Sequence, residues 1–222
     1  MALLPNPLPR HPVPQDRDAM ITWARKHLSK RDFVILDTET TGVEGSDEVI
    51  QIGILDCDGT ELLDSLVKPE EKRSIPKKAQ NVHGITTKML KDAPTLYELS
   101  ELIVESIGSR LVICFNDEFD MRLIEQTARK YNLAARGKEL AFESECAMLA
   151  YSQFIGNPGN YPGQYRWQKL PRLLEEQHKA LGDCQLTLEL IKEIADSNKQ
   201  SELLDFAPYV LPVGTESIYS LN

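Results

Sequence analysis

The chain has 222 residues, 41% of them hydrophobic and 27% charged, with a formal net charge of −9. That length suits one domain with a sizeable core, and the composition is that of an ordinary soluble protein. The acidic balance excludes coating of nucleic acid by bulk electrostatics, but not an enzyme whose acids are neutralised by bound cations.

Prolines at 5, 7, 9, 12 and 14 interrupt the N-terminus. It therefore forms no signal-peptide apolar region and reads as a flexible, partly polyproline-like arm. Asp18 to Leu28 has helical spacing through Ile21, Ala24, His27 and Leu28, which completes an N-terminal unit over 1–30. A body over 31–197 follows, and then a tail, 198–222, with Pro208 and Pro212 and no clear period. No apolar stretch approaches membrane-spanning length. Cys57, Cys114, Cys146 and Cys184 are scattered, which favours core thiols in a reducing cytoplasm over disulfides or zinc.

Within the body, three strand signals come first: Phe33–Asp37, Val49–Cys57 and Glu61–Val67. Asp56-Cys57-Asp58-Gly59 joins the second and third as a hairpin. Pro69 and Pro76 flank a loop that leads to Val82-His83-Gly84-Ile85-Thr86. Residues 68 to 91 carry Lys68, Lys72, Arg73, Lys77, Lys78, Lys88 and Lys91 against only Glu70 and Glu71. That is a solvated loop or a track for a phosphate backbone.

Leu96, Leu99, Ile103 and Ile107 mark a helix, and Leu111–Phe115 a strand. Asn116 then serves as N-cap to a helix carrying Phe119, Leu123, Ile124 and Ala128. A weaker strand follows near Leu140–Ser144, then a helix at Ala147–Phe154 and an irregular loop over 155–166. Helical patterns return at Leu170–Gln177 and Asp183–Ala195. A three-strand meander followed by alternating helices and strands predicts an α/β fold, a mixed central sheet flanked by helices.

The chemistry concentrates at three places. Asp37 and Glu39 follow the apolar run Phe33-Val34-Ile35-Leu36, and side chains two apart on a strand share a face, while Thr38 points away. Paired acids at the end of a core strand are costly to bury unless a hard cation lies between them, although the same pattern also fits a solvated turn. Asp120 lies four residues after Asn116, on the same helix face, where a plain dipole partner would also serve. His178-Lys179-Ala180-Leu181-Gly182-Asp183 supplies a histidine, a chain break at Gly182 and an acid opening a helix, where a plain N-cap and a surface histidine would also serve.

In this order, Asp37-Thr38-Glu39, Asn116-Asp117-Glu118-Phe119-Asp120 and His178…Asp183 resemble the motifs of the DEDDh exonuclease family. Asn81-Val82-His83-Gly84-Ile85-Thr86 is similar to that family's His-Gly-Ile segment, and the resemblance covers roughly residues 32 to 196. Cys184 departs from it, where the family often has Ala. The resemblance implies a ribonuclease H-like fold with five strands, and a metal-dependent 3′→5′ exonuclease acting on single-stranded DNA or RNA 3′ ends.

It further implies that Asp37, Glu39, Asp120 and Asp183 hold two Mg²⁺ or Mn²⁺ ions. One activates a water and the other stabilises the leaving oxygen, with His178 as general base. Thr38, Thr40, Thr41 and His83 become the contacts to the terminal nucleotide. Phe119 reads as core. Tyr161, Tyr165 and Trp167 either stack on bases or pack locally. Two rivals stay open: a proofreading subunit bound to a polymerase, and a catalytically dead nucleic-acid-binding scaffold; a polymerase and a second copy of the chain are the candidate protein partners.

Overall fold

The computed structural model describes residues 14–70, 74–161, 163–171 and 178–197. The Pro-rich arm, most of the helix expected over 170–177, the tail, Lys72 and Arg73 lie outside the described residues. The helix α1 (Pro14–Lys30) precedes the strands β1 (Phe33–Thr40), β2 (Val49–Asp56) and β3 (Glu61–Leu66). Then come α2 (Lys77–His83), α3 (Leu96–Ile107), β4 (Leu111–Cys114), α4 (Asp117–Lys130), β5 (Ser144–Cys146), α5 (Ala147–Ile155) and α6 (Ala180–Ala195).

The strands form one five-stranded mixed sheet in the order β3-β2-β1-β4-β5. β1 pairs antiparallel with β2 and parallel with β4, so it is the central strand. Its alternation decides which layer each residue meets. Phe33 and Ile35 join the core formed with Ile21 and Ala24 of α1, Ala147 and Phe154 of α5, and Leu188 and Ile191 of α6. Val34 and Leu36 face the opposite layer, with Ile103 of α3 and Leu123 of α4. The same period of two carries Asp37 and Glu39 to the α6 side and Thr38 to the α4 side.

Several expected boundaries move, each for a physical reason. β1 runs on to Thr40 because β2 continues to pair with it as far as Val49. The expected loop before His83 contains α2, whose first turn forms as the Gln80 N–H donates to the Pro76 carbonyl. It ends at Gly84, in the left-handed region at φ 73°.

β5 sits at Ser144–Cys146 rather than Leu140–Ser144, since Val112 of β4 pairs with Ser144. Leu140 and Phe142 instead pack on the α3–α4 core. α6 starts at Ala180, so Gly182 lies within its first turn rather than breaking the chain. Asn116 occupies the N-cap position of α4 but its side chain makes no capping bond. Its carbonyl instead accepts the N–H groups of Phe119 and Asp120. The hairpin at 56–59 forms as expected, with the Gly59 N–H on the Asp56 carbonyl and Gly59 at φ 95°.

Candidate active site

The parallel pairing of β1 with β4 extends only from Phe33 to Ile35. Beyond it β4 turns into α4, and the edge of β1 lacks a strand partner there. Asp120 takes that place. Its Oδ1 accepts the Thr38 N–H at 3.0 Å and the Thr38 hydroxyl at 2.7 Å. Thr38, buried on the face away from Asp37 and Glu39, therefore fixes the carboxylate of the second motif against the strand of the first.

From the other layer, α6 delivers Asp183 in its first turn, and His178 lies just before it. Among the described residues, Glu39, His178 and Asp183 each offer a ligand atom, all within 4.8 Å of one another. His178 Nδ1 stands 3.4 Å from Asp183 Oδ2. Glu39 and Asp183 are buried, whereas the His178 side chain is about one-third exposed. The backbone N–H of His178 donates to the Val82 carbonyl, tying this loop to the segment that carries His83.

The electrostatics mark the cluster as anionic. Burial pushes the Asp120 carboxyl up to about 7, helped by the charges of Asp117 and Asp183 and opposed by the two Thr38 donors. The buried thiols Cys114 and Cys184 are raised by burial first. The next cause at Cys184 is the charge of Asp37, followed by Asp120 and Asp183; at Cys114 it is Asp120, followed by Asp37. Asp37 and Asp120 thus act on both thiols, one on each side of β1, and Asp183 acts on Cys184.

The remaining expected residues frame this centre. His83 is buried, and its Nδ1 accepts the Ile85 N–H at 2.9 Å, which leaves the proton on Nε2. Burial lowers its pKa, a hydrogen bond with the Thr40 backbone opposes that, and His178 lowers it further. The Thr40 hydroxyl donates to the Gly42 carbonyl, and the Thr41 hydroxyl donates to Asp47 while accepting the Glu48 N–H. Both close the turn after β1. Phe119 packs on the α3–α4 core. The Tyr165 hydroxyl bonds Asp16 of α1, while Tyr161 and Trp167 are exposed. Two residues of the neighbourhood escaped the sequence reading: Gln51 and Gly53 of β2, although a glycine inside an apolar strand signals close backbone approach.

One consequence concerns stability. A carboxyl raised from 3.8 to about 7 in the folded state favours folding when protonated. That contribution is fully present below about pH 4 and is lost as pH rises through about 7. Asp120→Asn removes the titration while keeping an acceptor for Thr38. In excess chelator the variant is expected to melt several degrees above wild type at alkaline pH, the gap closing toward about pH 4. A gap that stays constant across a calorimetric pH series would contradict the assignment.

The model of the family described as "Exonuclease" matches residues 34–191. An uncharacterized exonuclease of Escherichia phage 186 is 34% identical over 188 residues, spanning 80% of this chain and 95% of the phage protein. DNA polymerase III subunit epsilon of Aquifex aeolicus is 29% identical over 177 residues, spanning 78% and 84%.

Exonuclease X, solved in complex with 5′ overhanging duplex DNA, superposes with a TM-score of 0.50 at 27% identity, over 74% of this chain and 92% of that one. The nuclease domain of 3′hExo, a DEDDh member bound to rAMP, superposes at 0.51 over 76% and 94%; at 14% identity it speaks to the fold, which is ribonuclease H-like. With these matches over such a sheet, the chain is a nuclease hydrolase that belongs to the exonuclease family.

Proposed function

We propose that the chain is a divalent-metal-dependent 3′→5′ exonuclease that acts on single-stranded ends, DNA in preference to RNA, and releases nucleoside 5′-monophosphates. The convergence of Glu39, His178 and Asp183 within 4.8 Å carries this reading. The donor set fits a hard cation, since it is rich in carboxylate oxygens and burial holds Asp120 at about 7. Asp37, Glu39, Asp120 and Asp183 would hold two Mg²⁺ or Mn²⁺ ions, which when bound supply Lewis-acid stabilisation of the charge developing on the phosphate oxygens.

The chain's own residues do the rest. Thr38 keeps the Asp120 carboxylate in register with the β1 acids. His178, reachable from solvent, takes the proton of the attacking water. Asp183 orients its ring through Nδ1, which leaves Nε2 to receive that proton. His83, with its proton on Nε2, donates to the terminal nucleotide, and the turn built by Thr40 and Thr41 lies against it.

Matched DNA and RNA strands, labelled at either end, test this directly. With Mg²⁺ or Mn²⁺, the 3′ label should leave at once as a mononucleotide while the 5′ label reports progressive shortening. Chelator should stop both. Shortening from the 5′ end, or full activity in chelator, contradicts the proposal.

A second reading, the proofreading subunit of a polymerase, draws support from the relatives named DNA polymerase III subunit epsilon. Recovery of a polymerase subunit with the tagged chain from its own cells would favour it. No helix among the described residues is long and apolar enough to cross a membrane. The four cysteines are free thiols, three of them buried, which suits a cytoplasmic setting.

Substrate affinity is expected to draw on α2 and the turns after it. Lys77 and Lys78 are exposed on α2, which ends in His83 beside the centre, and Lys88 and Lys91 are exposed on the turns after it. Replacing Lys77, Lys78 and Lys88 by Ala should raise KM for long strands and flatten its salt dependence. Hydrolysis of a mononucleotide ester, which has no backbone to bind, should hardly change. Equal losses on both substrates, or no loss on either, would remove this segment from the substrate path.

A further inference from the structure

β2 runs beside the acids of β1 with Gln51 opposite Glu39 and Gly53 opposite Asp37. The first turn of α6 lies directly on these two residues. A Cβ built at Gly53 would stand 2.6 Å from Leu181 N, 2.7 Å from Ala180 C and 2.9 Å from Leu181 Cα. All three are backbone atoms, so no side chain can swing away to make room. Gly53 has no positive φ. Its role is close approach and not conformational freedom.

Three hydrogen bonds hold the turn on this seat. Gln51 Oε1 accepts the Ala180 N–H at 3.4 Å, while its Nε2 donates to Asp64 Oδ1 at 2.9 Å and so fixes the amide's orientation. The Cys184 thiol donates to the carbonyls of Gly53 at 3.4 Å and Ile35 at 3.7 Å. Ala180 and Cys184 are fully buried. Cys184 directly follows Asp183, Ala180 lies three positions before it, and His178 lies two positions before Ala180.

We propose that Gln51 and Gly53 are positioning residues, which set the height of α6 over the sheet and thereby bring Asp183 and His178 to the β1 carboxylates. The inference rests on the metal-dependent reading of the centre. Neither residue touches substrate or reacting atoms; both act through Asp183. A seat displaced by a few tenths of an ångström leaves the cores of both layers intact but spreads the ligand atoms.

The test uses the full chain and Mn²⁺ as the probe, with titration calorimetry, steady-state kinetics and thermal melting on the same preparations. Gly53→Ala forces the turn outward. It is expected to weaken Mn²⁺ binding by about 10-fold or more, the range for residues that support metal ligands. The turnover number should fall at least as far, while KM for a long strand stays within about twofold, because α2 and its lysines are untouched. Gln51→Met keeps the length of the side chain but removes the acceptor of the Ala180 N–H, and should weaken Mn²⁺ binding by about 5-fold.

Variants that bind Mn²⁺ and turn over like wild type, with only a lowered melting temperature, would reduce the seat to ordinary packing and overturn the proposal. Should Gly53→Ala fail to fold, Gln51→Met decides on the same criterion. Absence of Mn²⁺ binding by the wild-type chain would overturn the metal-dependent reading itself, and the proposal with it.

Discussion

Alanine at any one of Asp37, Glu39, Asp120 or Asp183 should remove nuclease activity at saturating Mg²⁺, by well over about 10²-fold. Even groups that only support metal ligands account for 10- to 100-fold, and these four are assigned as the ligands themselves. The loss should be cooperative, since each carboxylate serves one shared cluster, so double variants should be scarcely worse than single ones. Near-wild-type rates in any two single variants would contradict the assignment.

The fold should survive, because removing one acid relieves like-charge repulsion in the metal-free chain. Asp120 is the informative exception. Its alanine variant leaves the Thr38 N–H and hydroxyl, both buried, without their acceptor, at a cost of about 1–3 kcal/mol. Asp120→Asn keeps an acceptor there and separates the loss of a ligand from the loss of the strand-edge hydrogen bonds.

His178→Ala should lower kcat by at least about 10²-fold with little change in KM, the usual effect of a lost general base. The acidic limb of the pH–rate profile should vanish in the same variant. The geometry sharpens the test. His178 Nδ1 lies 3.4 Å from an oxygen of Asp183, so the ring belongs to the anionic cluster rather than standing apart from it.

If His178 were a metal ligand in place of a base, its alanine variant would lose Mn²⁺ affinity as steeply as Asp183→Ala. A variant with intact Mn²⁺ binding and a collapsed kcat assigns the base. A variant with weakened Mn²⁺ binding and an unchanged pH profile assigns a ligand and overturns the role proposed here.

Much of this centre was legible in the residue string because the determining physics is local. Strand alternation alone places Asp37 and Glu39 on one face and Thr38 on the other, and the structure keeps that division across the α6 and α4 layers. The run Phe33–Leu36, the hairpin at Asp56–Gly59 and the apolar stripe of Leu96, Leu99, Ile103 and Ile107 are likewise decided by neighbours within a few positions.

What the string left open depends on partners far along the chain. β5 formed at Ser144–Cys146 because β4 offered its edge there, although Leu140 and Phe142 are the more strand-like residues by type. Asn116 is a favoured capping residue, yet it gave α4 a carbonyl rather than a side chain. Thr38 acquired its task only because β4 ends early and leaves an N–H that Asp120, 82 positions later, accepts.

Gly53 is invisible as a site residue until α6, more than 120 positions on, settles on its bare backbone. Local periodicity decides which way a side chain points. Which other side chain it meets is decided by the packing of layers, since only a backbone brought to within 3 Å can make a missing Cβ matter.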